Sequence, residues 1–211
     1  MMYEVINLGL VDYQEAYSLQ QQLLARRLRD EMGDTILLLE HNPVITLGRR
    51  AKRDNILVSP AILRSRGIKV LEVDRGGDVT VHSPGQLVCY PIMDLRRRGK
   101  DLHRYLRNLE EAIIRLLTTY GLQGMRVTGQ TGIWIQGREK IASIGIGVRN
   151  WVTYHGVALN VNNDISYFSL IRPCGLEGVK VTSISRILGE GVDMDELRSR
   201  MIKCFDTVFT F

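Results

Sequence analysis

The chain has 211 residues, 45% of them hydrophobic, and a formal net charge of +5. That length suits one domain with a sizeable core, and no apolar run reaches the roughly 20 residues that a membrane helix needs. The opening "MMYEVINLGLVDYQEAYS" lacks a basic stretch followed by an apolar one, so no secretory signal is expected. The three cysteines, Cys89, Cys174 and Cys204, are odd in number and far apart. They offer neither a disulfide framework nor a CxxC metal pair, and a reducing compartment fits them. A single domain spanning 1–211, in the cytoplasm, is the expectation.

In chain order, a first helix is predicted from Asp12, whose carboxylate can cap it, with Glu15 three residues on. Its apolar periodicity runs through Ala16, Leu19, Leu23 and Leu28. "TILLLEH" reads as a buried strand and "VITLG" as another. A short helix follows over 60–67, starting at Ser59-Pro60. "KVLEVDRGGDVTVHSPGQLVCYPIMDL" then reads as strand, glycine loop, strand, turn, strand, which places Cys89 in a buried strand. Asp101 opens the clearest helix, with a stripe of Leu102, Leu106, Leu109, Ile113, Leu116 and Tyr120 that Gly121 stops. "GIWIQGREKIASIGIGV" reads as a hairpin turning at "QGRE", and "YHGVALNVN" continues the sheet. A last helix from Asp193 carries Leu197, Met201, Cys204 and Val208 on its apolar face. Strands and helices come in groups and not in βαβ alternation, which predicts an α+β domain with mixed or antiparallel sheets and flanking helices.

Several chemistries are absent. No GK[ST] follows a glycine loop, no GxGxxG opens a helix and no GxSxG is present. The four histidines, His41, His82, His103 and His155, lack metal-ligand spacing. No helix-turn-helix or zinc-finger spacing appears, and the basic runs "GRRAKR" and "RRRGKDLHRYLR" lack the interleaved aromatics of a single-strand binder. Either run could instead be a solvated face or a landing surface for an acidic partner.

Three segments could carry chemistry. In "RGGDVTVHSPGQ" (75–86), paired glycines allow close backbone approach to a ligand, Arg75 can bind an anion and His82 can move a proton; the same residues also suit a tight turn before a half-buried histidine. In "REKIASIGIGV", Lys140 starts a strand whose small residues could place backbone amides against a carbonyl oxygen, while a lysine there can also be merely solvated. His155, before Gly156, can be a helper or a structural residue. In "LIRPCGLEGVKVTS", Cys174 sits between a proline and a glycine, a setting that can hold a thiol at a loop tip or end a strand with an inert one.

Taken together, "HNPVITLGRR", "RGGDVTVHSPGQLVCYPI", "KIASIG", "HGVALNV", "PCG" and "VTSI" closely resemble the lipoyl(octanoyl) transferase family, in order and over 41–184. Val81 stands where that family carries an aromatic residue and Ser83 where it carries a glycine, which bears on chain-length preference more than on chemistry. The resemblance implies the fold of the biotin and lipoate protein ligases. It implies an acyl-cysteine intermediate on Cys174 with Lys140 as its partner, and no cofactor. By position it implies substrate contacts from Arg75, Gly76, Gly77, Asp78, Val79, Thr80, Val81 and His82, from Ser143, Ile144 and Gly145, and from Gly156, Val157 and Ala158. His155 is a secondary candidate.

The activity so implied is transfer of an octanoyl or lipoyl group from acyl carrier protein to a lysine of a lipoyl domain, the first step of protein lipoylation. The acceptors would be the lipoyl domains of 2-oxoacid dehydrogenase E2 subunits and the glycine cleavage H protein, with no nucleic acid or membrane as partner. An ATP-dependent lipoate ligase, a protein-to-protein octanoyl amidotransferase and a non-catalytic module binding an acidic partner are the rival readings.

Overall fold

The structure of the chain is a computed structural model that describes residues 3–173 and 178–209. Its main sheet is built from β1 (Tyr3–Val11), β2 (Asp34–His41), β6 (Gln86–Ile92), β10 (Val152–Asn160), β9 (Glu139–Arg149), β8 (Gln130–Ile135) and β7 (Gly124–Val127), in that spatial order. The short β11 (Lys180–Val181) pairs with β9 off this path. The β1–β2 and β9–β11 pairs are parallel and the rest antiparallel. A second sheet orders β4 (Lys69–Glu72), β3 (Val44–Leu47) and β5 (Val79–His82). The expected α+β class with mixed sheets is therefore what the chain adopts.

Alternation along the strands sets the layers. Ile36 and Leu38 of β2 and Leu87 and Cys89 of β6 face α3 (Leu102–Thr118) and α4 (Met194–Phe209), where Leu109, Ile113, Leu116, Met201 and Phe205 complete the largest core. Leu37, Leu39, Val88 and Tyr90 face the other way, onto Ala16, Leu23 and Leu24 of α1 (Tyr13–Leu28). Cys89 and Cys204 are both buried in the first of these cores, as their patterns predict. A third apolar cluster joins Ile45, Leu47, Val79 and Val81 of the small sheet to Leu63 of α2 (Pro60–Ser65) and to Phe168 and Leu170.

The caps match the sequence. Asp12, Ser59, Asp101 and Asp193 each accept a backbone N–H of the helix that follows. Two differences from the sequence reading have physical causes. The buried face of α1 holds Gln20, whose Oε1 accepts the His155 N–H, and Arg27, which pairs with Asp34, while Leu19 and Leu28 are half-buried. The strands β1 and β7 escape the apolar pattern because each is a half-exposed sheet edge. No helix among the described residues is long and apolar enough to cross a membrane.

Candidate active site

The glycine loop 74–78 lies between the two sheets and is clamped on both sides. The N–H groups of Arg49 and Arg50 donate to the carbonyls of Arg75 and Gly77, at 3.0 and 3.1 Å. From the main sheet, Ile146 O accepts the Gly76 N–H at 2.8 Å. The approach is tight: a Cβ on Gly145 would stand 2.8 Å from Gly76 O, and one on Gly48 would stand 2.8 Å from Arg75 Nη1. Arg75 is buried, and its guanidinium donates to Thr46 O at 2.7 Å, to Thr46 Oγ1 and to Gly76 O. It buttresses the loop from within, where the sequence suggested an anion contact.

Two adjoining cavities result. One, of about 50 Å³, is lined by Arg75, Gly77, Asp78, Val79, Thr80, His82, Ser143, Ile144, Gly145, Gly156, Val157 and Ala158, with Tyr90 and His155. The other, of about 490 Å³, is lined by Gly76, Lys140, Arg50, Leu106, Gln130 and Ile146, and shares Gly77, Asp78, Ile144 and Gly145 with the first. Val81 is the exception among the sequence candidates: it alternates away from the cavities into the apolar cluster with Ile45. The departure at Val81 therefore bears on the packing of the small-sheet cluster. Ser83 is buried in the turn before β6, where its carbonyl accepts the Gln86 N–H.

Lys140 is 4% exposed, and its Nζ stands 5.4 Å from the centre of the Trp134 ring, within cation–π range. Its carbonyl accepts the Thr182 N–H, and β11 runs beside it. Cys174 falls outside the described residues. The segments flanking it are anchored: Arg172 N–H donates to Asn55 O at 2.8 Å, and Lys180 and Val181 pair with Glu139 and Lys140. Pairing of β8 with β9 ends at Ala142. Beyond it the edge of β9 over 143–146 borders the cavity, where the small residues of "ASIG" leave the backbone accessible.

The histidines are held by polar chains. Gln86 Oε1 accepts from His82 Nδ1 at 2.7 Å, Gln86 Nε2 donates to Asn160 Oδ1 at 2.9 Å, and Asn160 Nδ2 donates to Thr182 O at 3.1 Å. This order fixes the His82 proton on Nδ1 and leaves Nε2 as the acceptor. Burial keeps His82 well below its ordinary pKa and pushes His41 down to about 4, so both are neutral at pH 7. Asp74 accepts from His155 Nε2 at 2.9 Å, from Tyr154 at 2.5 Å and from Tyr17 at 3.1 Å. Those bonds, led by the one from His155, hold its carboxyl well below the usual range. Burial lowers His155 too, against the pull of Asp74, and His155 takes a left-handed backbone, φ +54°, with its N–H on Gln20 Oε1.

Asp74, Tyr90, Gln86, Asn160 and Gly132 were not singled out by the sequence. Only Gly132 carries a local signal, a glycine inside a strand, which often marks close approach of another group. Among the described residues, no group of three or more His, Cys, Asp or Glu side chains could hold a metal.

The model of the lipoyl protein ligase A/B catalytic domain matches residues 12–206. An octanoyltransferase of Chloroflexus aurantiacus is 50% identical over 204 residues, covering 96% of this chain and 92% of that one. A bipartite lipoate protein ligase of Thermoplasma acidophilum, solved with its E2 lipoyl domain, superposes with a TM-score of 0.75 at 17% identity, covering 99% of this chain and 84% of that one. A biotin protein ligase of Aquifex aeolicus shares the fold at a TM-score of 0.58 and 14% identity, over 97% of this chain and 69% of that one. With a family match over nearly its whole length, around a glycine loop and a buried lysine that face one cavity, the chain belongs to the lipoyl protein ligase A/B catalytic-domain family.

Proposed function

We propose that the chain is an octanoyltransferase of protein lipoylation. It takes the octanoyl, or lipoyl, group from a thioester on acyl carrier protein and passes it to a lysine of a lipoyl domain, including those of E2 subunits and the glycine cleavage H protein, in the cytoplasm. Cys174 is the nucleophile and Lys140 its partner. The observation that carries this reading is the position of Lys140: buried, on the wall of a 490 Å³ cavity that it shares with the glycine loop and beside the strand that follows the Cys174 segment.

A free thiol has a pKa of about 8.5 and is mostly protonated at pH 7. A neighbouring ammonium favours the thiolate, so Cys174 and Lys140 act as a thiolate–ammonium pair. The Cys174 sulfur attacks the thioester carbonyl, and the carrier leaves as a thiolate that takes a proton from Lys140. The neutral lysine amine of the lipoyl domain then attacks the acyl-enzyme. An amide forms, the Cys174 thioester breaks, and Lys140 accepts the amine's proton, which restores the starting pair. On β9 the Ile146 carbonyl faces away from β10, onto Gly76, so by alternation the Ile144 N–H also faces the open edge, where it can steady the oxyanion. Thioester exchange is nearly neutral and amide formation downhill, so ATP is not required. The shared cavity wall of Ile144, Gly145 and Gly77 admits a slender acyl chain.

The test is intact-protein mass after incubation with octanoyl carrier protein and no ATP, for wild type and Cys174→Ser. One octanoyl group on wild type alone, passed on to an apo lipoyl domain, is the expected result. Transfer that appears only with ATP and free octanoic acid would sink the thioester route.

A further inference from the structure

The two basic runs have opposite fates in the fold. Arg96 is paired with Asp94 at 2.8 Å, Arg97 with Asp30 at 3.2 Å and Arg98 with Asp34 at 3.0 Å. These arginines also stand at the wrong end of the molecule. Asp34 opens β2 and His41, beside His82, closes it. Seven residue steps at about 3.3 Å put the two ends roughly 23 Å apart.

The 49–52 segment differs on both counts, whereas Arg53 next to it pairs with Glu72 at 2.6 Å. Arg49, Arg50 and Lys52 are exposed, and no side-chain ion pair engages them among the described residues. Arg50 lines the cavity that holds Lys140. The backbone under Arg49 and Arg50 is pinned to the glycine loop by the bonds described above, so these charges sit on a rigid rim. Arg49, Arg50 and Lys52 thus bring positive charge that, among the described residues, is free of side-chain ion pairs to the cavity's rim, with Asp78 as the carboxylate on its lining.

We propose that Arg49, Arg50 and Lys52 form the docking face for an acidic carrier protein that presents the acyl thioester on a flexible arm, and that the 96–98 run takes no part. This rests on the transferase reading given above. Like charges fixed around the entrance attract an acidic surface and orient it so that its arm points at Lys140; such charges act mainly on encounter and on salt dependence.

The experiment compares wild type, the double variant Arg49→Glu with Lys52→Glu, and Arg97→Glu on two donors, octanoyl carrier protein and octanoyl-pantetheine. The double variant is expected to raise the KM for the carrier-bound donor roughly tenfold and to lose most of its salt dependence. Its kcat/KM on octanoyl-pantetheine should match wild type, and Arg97→Glu should match wild type on both donors. An unchanged carrier KM in the double variant would overturn the assignment, as would a rise in Arg97→Glu of about half the double variant's on a logarithmic scale, since one charge is reversed there against two and net charge alone would then be read. If wild type turned over neither donor, the transferase reading itself would fall, and the docking face with it.

Discussion

Gly132 makes the space in which the Lys140 side chain lies. A Cβ on Gly132 would stand 2.9 Å from Lys140 Cε and 3.4 Å from Nζ, and would overlap the Ala142 carbonyl oxygen. The φ of +120° at Gly132 is itself hard for any L side chain to adopt. Its N–H points to Glu110 Oε1 at 3.4 Å, a buried carboxylate that also holds Arg107 and Arg126. Gly132→Ala must therefore displace Lys140 or the strand beneath it. We expect transfer to fall by about two orders of magnitude, as for loss of a positioned proton-transfer group, and the pH at which Cys174 is half alkylated to rise. Lys140→Met sets the reference: it should show the same rise in pH without the strain. A Gly132→Ala protein that alkylates like wild type would mean that the glycine serves the strand alone.

The His82–Gln86–Asn160 chain yields a prediction that can be read without substrate. In wild type, nitrogen NMR should report His82 protonated on Nδ1 and bare on Nε2. Gln86→Leu removes the acceptor of that proton and the donor to Asn160 Oδ1. It should cost about 1–3 kcal/mol in urea unfolding, the range for orphaning buried polar partners, and let His82 exchange between tautomers. A His82 that stays on Nδ1 in Gln86→Leu would show that something other than Gln86 sets the tautomer.

Most elements were legible because apolar period and cap residue agreed, as at Asp101 with the Leu109–Ile113–Leu116 stripe. The site candidates were legible as a set of segments, and all of those described except Val81 line one of the two cavities. What lay beyond the sequence was polar and long-range. Asp74 looks like a surface residue of a loop, and only the fold brings Tyr17, Tyr154 and His155 to it from two other elements. Arg27 and Gln20 break the apolar stripe of α1, and nothing local says that both are buried. Arg96 to Arg98 read as a landing surface until the carboxylates opposite them, 30 and 34, are placed.

Buried neutral histidines make stability depend on pH in a stated direction. In the unfolded chain a histidine titrates near 6.5, whereas burial holds His41 at about 4 and keeps His82 and His155 below their ordinary values. As pH falls below 6.5 the unfolded state takes up protons first. The contribution is thus complete above pH 6.5 and is lost progressively towards pH 4. His41 alone corresponds to on the order of 2 kcal/mol between pH 7 and pH 5. Asp74, held low, adds a further loss only below its usual range near 3.8. Urea midpoints measured from pH 7.5 to 5 should therefore decline, and His41→Gln, which can keep the bonds to Val11 O and the Tyr90 hydroxyl, should flatten the slope. A wild-type midpoint that holds constant over that range would contradict this account.

The ion cluster at the far end of β2 should matter to stability and not to chemistry. Arg27 is 3% exposed on α1 and reaches Asp34 at 2.8 Å, Asp94 at 3.3 Å and Asp30 at 2.6 Å. Asp34 and Asp94 are themselves buried, and Asp34 Oδ1 also accepts the Asp94 N–H at 3.0 Å. Removing one partner from such a cluster leaves charge buried without its counter-ion, which costs about 3–5 kcal/mol where nothing else compensates. Here Arg98 still holds Asp34 and Arg96 still holds Asp94, so Arg27→Met should cost the lower end, about 3 kcal/mol. Because the cluster lies a strand's length from Lys140, kcat/KM on octanoyl-pantetheine should match wild type at temperatures where the variant stays folded. A loss of activity without a loss of stability would mean that this end of the sheet reports to the cavity.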